Sequence, residues 1–349
     1  MASIWDGVVG QPQALRRLQS SATSPVHAYL FVGPAGCTKH EAARAFAALL
    51  LSGSEDPGSR DARLALAGTH PDVREFARVG AAINKEQADE IVRLAALAPN
   101  ESNRKVLILD EFHLLSPEAA AKLLKTIEEP PASTIFVVLA DHMPTDLVTI
   151  ASRCVRIDFA PISDDMIIAT LLGEGVAPDR AAEATIAANG DLTRARLLAN
   201  DEMLARRREL FASAPQRLDG TGRIVVLLVE ELLGAIDAAA APLTARHAEE
   251  VVALTARIAS LGERGSGKKA LEERHKRELR RHRTDELRAG LATLAGSYRD
   301  ALITGTAIRP DAAAKAVKRI HVALEAFERN PNEPLLLQSM LLELPSLAS

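Results

Sequence analysis

The sequence predicts an α/β fold, a phosphate-loop domain with a parallel sheet, followed by purely helical segments, and three observations predict it. Short apolar runs alternate with stretches of helical composition as far as Pro161. The first run passes through Gly33-Pro34-Ala35-Gly36 into a helical stretch, the strand, glycine loop and helix order that a phosphate-binding loop requires. From Ser163 to Ser349 strand signals give way to helical composition. Strands that alternate with helices call for a parallel sheet covered on both faces, with ligands at the carboxyl ends of the strands.

In order, Tyr29–Val32 reads as a strand and Glu41–Leu51 as the helix after the glycine loop. Ser52–Arg60 (SGSEDPGSR) reads as a connector, and His70-Pro71-Asp72 leads into a second strand, Val73–Phe76. Lys85–Leu97 carries Ile91, Leu94, Ala95 and Ala98 at helical spacing, and Lys105–Leu109 is a short buried-type strand ending at Asp110-Glu111. Pro117–Ile127 reads as a helix capped by Ser116, since proline is suited to a first turn. Thr134–Leu139 is the third clear strand and Arg153–Phe159 a candidate fourth of that type. Beyond them, helices are divided by loops near Gly173–Pro178, Asn189–Asp191, Asp219–Gly222 and Gly262–Gly267.

Composition bounds the function. The 349 residues exceed one usual core, which points to two or three domains. A net charge of −4 does not mark a polyanion binder, although it can conceal a local basic face. Cys37 and Cys154 are too few for a disulfide framework or a four-thiolate zinc site, as in a reducing compartment. The start, MASIWDGVVGQ, lacks a signal-peptide pattern, and no apolar run reaches the roughly 18 residues of a membrane span, so a cytoplasmic location is expected.

The segment Gly33-Pro34-Ala35-Gly36-Cys37-Thr38-Lys39-His40 overlays G-x-x-x-x-G-K-[ST] at Gly33 and Lys39. Thr38 stands where a glycine would let the backbone close around phosphates; a β-branched residue restricts that approach, so a misshapen cradle is expected. His40 replaces the hydroxyl that holds magnesium, and a neutral imidazole is a poor ligand for a hard cation. A glycine turn without nucleotide-binding ancestry is the plainer alternative, and the flanking strand and helix weigh against it. The pair Asp110-Glu111 after a strand matches a second nucleotide motif, in which the Asp supports magnesium and the Glu orients water. In isolation such a pair reads as solvated turn carboxylates, and Arg153 reads as a surface or salt-bridge residue.

A decoy, Gly262–Lys269, repeats part of the loop pattern after a helical stretch and reads as a flexible interhelical loop. Lys268–Arg288 reads as a solvated helix with Glu272–Lys276 and Glu273–Arg277 at i,i+4 spacing. Its alternative is a basic surface of Arg280, Arg281 and Arg283 for a partner or DNA backbone.

Taken together, Val8-Val9-Gly10-Gln11, His27–Phe31, Thr69-His70-Pro71-Asp72, Asp110-Glu111, Leu123–Pro131 (LLKTIEEPP) and Ser152-Arg153-Cys154 resemble the bacterial clamp-loader branch of the AAA+ ATPases. The resemblance is clear from Ile4 to about Phe159 and weaker through Gly190–Arg196 and Asn330–Leu335. Within the branch, the altered loop is similar to the delta-prime type of DNA polymerase III rather than the hydrolysing gamma/tau type.

The resemblance implies an AAA+ domain over 1–161, a helical lid over 162–206 and a helical collar for oligomerisation over 207–349. It implies a degenerate nucleotide site of Gly33, Gly36, Thr38, Lys39, Asp110, Glu111 and Arg194, the last as a second sensor. It assigns Arg153 as an arginine finger acting in trans on ATP held by a neighbouring subunit; such fingers are worth about 10³–10⁵ in rate in other systems. Asp141 takes the first-sensor position, where its charge would repel a γ-phosphate. Ser52–Leu66 lacks the cysteines of the family's zinc module, so no zinc is expected. No cofactor is required, and binding of ATP or ADP stays open. The implied partners are gamma/tau and delta subunits and, through the complex, the sliding clamp and primed DNA. The competing readings are an active gamma/tau-type ATPase, motivated by Lys39, Asp110 and Glu111, and a scaffold that binds nucleotide without turnover.

Overall fold

The structure, a computed structural model, describes residues 2–78, 82–143, 148–261, 268–306, 309–327 and 331–347. Its strands are β1 (Ala28–Val32), β2 (Val73–Phe76), β3 (Lys105–Leu109), β4 (Thr134–Ala140) and β5 (Val155–Asp158). They form one sheet in the order β2-β3-β4-β1-β5, every neighbouring pair parallel. All residues of β1, β3 and β4 are buried, because helices cover both faces of the central strands. That is why these strands read as continuous apolar runs rather than alternating ones.

On one face the core contains Tyr29, Phe31, Phe46 and Phe159, packed with helices α1 (Pro12–Ala22), α2 (Lys39–Ser52) and α3 (Arg60–Leu66). On the other, Leu30, Leu107 and Phe136 pack with α4 (Lys85–Ala96) and α5 (Pro117–Glu128). Ser116 caps α5 by accepting the Ala119 N–H, as expected from the sequence. Two elements were not legible there. Helix α1 went unread, and α3 was hidden by the glycine- and serine-rich connector before it, although Ser59 caps it through the Ala62 N–H. The short helix α6 (Val148–Ala151) leads into β5, which begins two residues later than read.

Asp72 explains the His70-Pro71-Asp72 segment. Its buried carboxylate accepts from the backbone N–H groups of Asn100 (2.5 Å), Glu101 (2.9 Å) and Ser102 (2.8 Å), pinning the loop that enters β3. Burial raises the pKa of this carboxyl, and those three bonds overcome it to leave the pKa below its usual value.

The remaining helices are α7 (Asp164–Gly173), α8 (Pro178–Ala188), α9 (Leu192–Ala199), α10 (Leu204–Arg217), α11 (Gly222–Ala238), α12 (Ala241–Leu261), α13 (Lys268–Ile303), α14 (Pro310–Ala326) and α15 (Glu333–Glu343). By internal contacts the chain divides into Met1–Arg196 and Leu197–Ser349, so the stretch 162–206 is shared between two units. No helix among the described residues is long and apolar enough to cross a membrane.

The second unit has its own core, with Phe211, Leu228, Leu291, Tyr298 and Ile320 at its centre. Gly290 is required there, because a Cβ would lie 2.4 Å from the Phe211 ring. The charged helix α13 is not solvated all round, which corrects the sequence reading. His275, His282 and Glu286 are buried, Lys276 pairs with Glu273 at i,i+3 (2.9 Å), and Arg283 pairs with Asp237 and Glu333. Among the described residues, i,i+4 ion pairs on this helix join Arg274 to Glu278 and Arg281 to Asp285. The difference arises because α12 packs antiparallel along α13: Glu250 meets Arg274 and His275, and Glu278 meets Arg246 and His247. The rings of His247 and His275 stack at 3.8 Å. Residues 262–267 of the decoy loop, and Asn330, lie outside the described residues.

Arg207 of α10 is 4% exposed and forms ion pairs with Asp201 (2.7 Å) and Glu286 of α13 (2.6 Å). Removing the guanidinium would leave two buried carboxylates without a counter-charge. Arg207→Leu is therefore expected to cost about 3–5 kcal/mol in urea unfolding of the chain; a loss below 1 kcal/mol would show that water reaches the triad.

Candidate functional site

Because every strand is parallel, the segments that follow β1, β3 and β4 gather at one end of the sheet. They deliver the glycine loop, Asp110-Glu111 and Asp141 to one place.

The loop is anchored by the chain ahead of α1. Gln11 donates to the carbonyls of Cys37 (3.1 Å) and Ala160 (2.7 Å) and accepts from the Ala160 N–H (3.1 Å). Gly33 is fixed by close approach: a Cβ there would sit 2.5 Å from the Phe159 carbonyl oxygen. At Thr38 the sequence expectation of a misshapen cradle is corrected in its local cause. Thr38 adopts the left-handed backbone a glycine would take, at φ +62°. That conformation costs a β-branched residue about 1–2 kcal/mol. The hydroxyl offsets part of it by accepting from the Val9 N–H and donating to the Val9 carbonyl, each at 3.2 Å. This accounts for the Val8-Val9-Gly10-Gln11 segment, which clamps the loop from outside.

What differs from a phosphate site is the occupancy of its charges. Lys39 is 7% exposed, and its ammonium donates to the Asp141 carboxylate at 2.7 Å and to the Pro34 carbonyl at 3.1 Å. Asp141 is thus an internal counter-ion to Lys39, a relation the sequence reading, which saw only repulsion of a phosphate, did not contain. Its backbone N–H also donates to His113 Nδ1 (3.2 Å). His40 lies between two carboxylates: Nε2 is 3.1 Å from Glu75 and Nδ1 is 3.4 Å from Asp110. Arg44, one turn along α2, takes Glu75 in a fork at 2.6 and 2.8 Å. Glu111, in a left-handed backbone at φ +51°, pairs with Arg78 at 3.1 Å.

The electrostatics follow. Burial opposes a charged imidazole at His40, but the bonds to Asp110 and Glu75 outweigh it and raise its pKa to about 9. Burial likewise opposes the Glu75 carboxylate, yet His40 and Arg44 hold it down at about 2. The sequence expectation of a neutral imidazole is therefore corrected: at neutral pH His40 is a cation. It sits on the carboxylate, Asp110, that a magnesium ion would use, and Lys39 is already on Asp141. As they stand, these donors do not fit a magnesium triphosphate: the oxygen ligand and the phosphate-binding ammonium are both engaged by the protein's own charges.

Arg194 reaches this region on α9, whose first residues dock on the loop. The Leu192 N–H donates to the Gly36 carbonyl (3.2 Å), and Asp191 accepts the Arg194 N–H (2.8 Å). Asp191 lies so close that a Cβ on Gly36 would fall 1.8 Å from its carboxylate. Gly33, Gly36, Thr38, Lys39, Asp110 and Glu111 thus lie at one end of the sheet, with the start of the helix that bears Arg194 against the loop.

Arg153 does not join them. Asp158 is level with Val32, the last residue before the loop, and Arg153 precedes Asp158 by the length of β5. At about 3.3 Å per residue this places Arg153 on the order of 15 Å back, at the opposite end of the sheet. It is partly exposed and held by Glu128, by the Thr149 carbonyl (2.6 Å) and by the Ser152 hydroxyl (3.1 Å). Sequence reasoning missed Glu75, Asp141 as a counter-ion, and Glu128. Only the LLKTIEEPP run signalled the last of these.

Residues 10–163 match the model of the family described as DNA polymerase III, delta subunit. The chain is 33% identical over 170 residues to DNA polymerase III subunit tau of Bacillus subtilis (strain 168), covering 47% of this chain and 30% of that protein. It is 29% identical over 207 residues to DNA polymerase III subunit delta' of the same organism, covering 58% of this chain and 63% of that protein. In both cases it spans less than two thirds of the relative's length. Among solved structures, a DNA polymerase III gamma subunit-related protein from Thermotoga maritima aligns with 94% of this chain and 97% of its own at a TM-score of 0.47 and 15% identity.

Two measurements check the charge cluster. In NMR titration His40 is expected to lose its proton near pH 9, and substantially lower in Glu75→Gln; a wild-type value near 6.5 would disprove the cluster. Stability gives the second. The raised pKa of His40 contributes stability that is complete below pH 6.5 and lost as pH climbs through about 9. The lowered pKa of Glu75 contributes stability that is complete above pH 4.5 and lost as pH falls through about 2. The gap in unfolding free energy between wild type and His40→Ala should therefore be widest between pH 4.5 and 6.5 and shrink towards pH 10. A gap independent of pH would contradict the assignment.

Proposed function

We propose, from the match of residues 10–163 to the family described as DNA polymerase III, delta subunit, that this chain acts as a delta-prime-type subunit of a clamp loader. In this role it helps place the sliding clamp on primed DNA in the cytoplasm without hydrolysing ATP itself. It assembles with gamma/tau and delta subunits and meets clamp and DNA through the complex. Its contribution to catalysis is Arg153, supplied to ATP held by the neighbouring subunit.

One observation carries the reading. The charges that would grip Mg·ATP are satisfied internally, Lys39 by Asp141 and Asp110 by a cationic His40. ATP binding would have to break both pairs and bring a polyanion against the Asp141 carboxylate. The place of Arg153 agrees with service in trans, since the sheet separates it from the chain's own loop while leaving it partly exposed. A guanidinium remains charged at any physiological pH, and its fork matches the charge that develops on a phosphoryl group in transfer. Neither zinc nor a bound nucleotide is needed for this work.

In a reconstituted loader, Arg153→Ala is expected to lower DNA-stimulated ATP turnover by about 10³-fold or more while the ring still assembles; unchanged turnover would remove the finger role. Millimolar Mg·ATP is expected to leave the melting temperature of the isolated chain unchanged, because a ligand that does not bind the native state cannot stabilise it. A rise without turnover would favour a nucleotide-binding scaffold.

The second reading, an active ATPase of the gamma/tau type, is favoured by the identity to subunit tau and by the retention of Lys39, Asp110 and Glu111. ATP hydrolysis by the purified chain alone, abolished by Lys39→Ala, would establish it.

A further inference from the structure

Arg153 is held in a particular way. A guanidinium has five N–H groups, one on Nε and two on each terminal nitrogen. Here Nε faces the carboxylate of Glu128, while Nη1 donates to the Thr149 carbonyl (2.6 Å) and the Ser152 hydroxyl (3.1 Å). Nη2 makes no hydrogen bond to another of the described residues. Nε–H and one N–H of Nη2 share an edge of the guanidinium, the edge that Glu128 lies against, so the N–H left for another partner is the Nη2 N–H on the edge shared with Nη1. Glu128 is the last residue of α5, whose Leu123 and Ile127 are fully buried in the core, so its carboxylate is mounted on a fixed element.

We propose that Glu128 is a positioning residue for Arg153, holding the guanidinium at Nε so that Nη2 is presented to a phosphate of the neighbouring subunit's nucleotide. The inference rests on the finger reading above and deepens it. An arginine on its flexible stem must give up its rotamer freedom before it can meet a phosphate in a defined geometry. Contacts that fix the plane of the fork in advance leave less of that loss to the transition state. Glu128 and Arg153 are 32% and 37% exposed, so water screens the pair and the carboxylate does not cancel the cation as it would in a dry interior. A carboxylate centred on Nη2 would compete directly with the phosphate; centred on Nε, it leaves the Nη2 N–H on the Nη1 edge for that contact.

The test uses the complete loader with its hydrolysing subunits, clamp and primed DNA. Glu128→Ala is expected to lower kcat for ATP by about tenfold and to leave the KM for ATP within about twofold, since the neighbour's own loop binds the nucleotide. Glu128→Gln, which keeps a neutral acceptor for Nε, should recover turnover only in part, to about threefold below wild type. In the Arg153→Ala background, Glu128→Ala should cause no further loss, because the two residues act as one unit. Wild-type kcat in Glu128→Ala, or a loss that multiplies with that of Arg153→Ala, would overturn the proposal while leaving the finger in place. If Arg153→Ala itself turns over normally, the finger reading fails first and the positioning role with it. Should Glu128→Ala not assemble, Glu128→Gln decides: a threefold loss of kcat absent in the Arg153→Ala background supports the proposal, and unchanged turnover overturns it.

Discussion

A parallel sheet has two unlike ends, and the rest of this molecule depends on that. Segments leaving the strands collect at one end and segments entering them collect at the other. The glycine loop after β1, Asp110 after β3 and Asp141 after β4 are therefore neighbours despite their distance in sequence. Arg153, which precedes β5, is placed at the far end with Glu128. One sheet thus carries a site of mutually neutralised charges at one end and a partly exposed cation, Arg153 beside Glu128, at the other.

At the loop end, the physical question is which charges meet. A buried lysine next to an empty cradle would be costly, and so would two buried carboxylates without a cation. The chain resolves both internally: Asp141 serves Lys39, while His40 and Arg44 serve Asp110 and Glu75. His40 brings a cation against the Asp110 carboxylate at the end of β3. The left-handed backbone at Thr38 is tied to Val9, while the charges of the loop are engaged by Asp141, Glu75 and Asp110.

Much of the architecture was legible in the sequence because it is local. Apolar runs such as Lys105–Leu109 declare buried strands, Ser116-Pro117 declares a helix start, and Gly33 to Lys39 declares a turn between strand and helix. Reading failed where local signals mislead. The glycine- and serine-rich connector concealed α3, and the dense charge of α13 suggested a solvated helix although α12 packs along it and Glu286 is buried against Arg207. A mixed charge pattern reads the same whether its partners are on its own helix or on another.

By itself the sequence determined the α/β class, the order of the strands along the chain, the identity of the altered loop residues and a motif set that resembles the clamp-loader branch, since each is a property of neighbouring residues. Only the tertiary structure decided that Asp141 neutralises Lys39, that Glu75 and Asp110 make His40 a cation, and that Glu128 lies at Nε of Arg153. These pairings join residues on different strands and helices. Periodicity and spacing carry no information about such distant partners; they exist because the parallel sheet brings them within reach and because buried charges must find a counter-charge there.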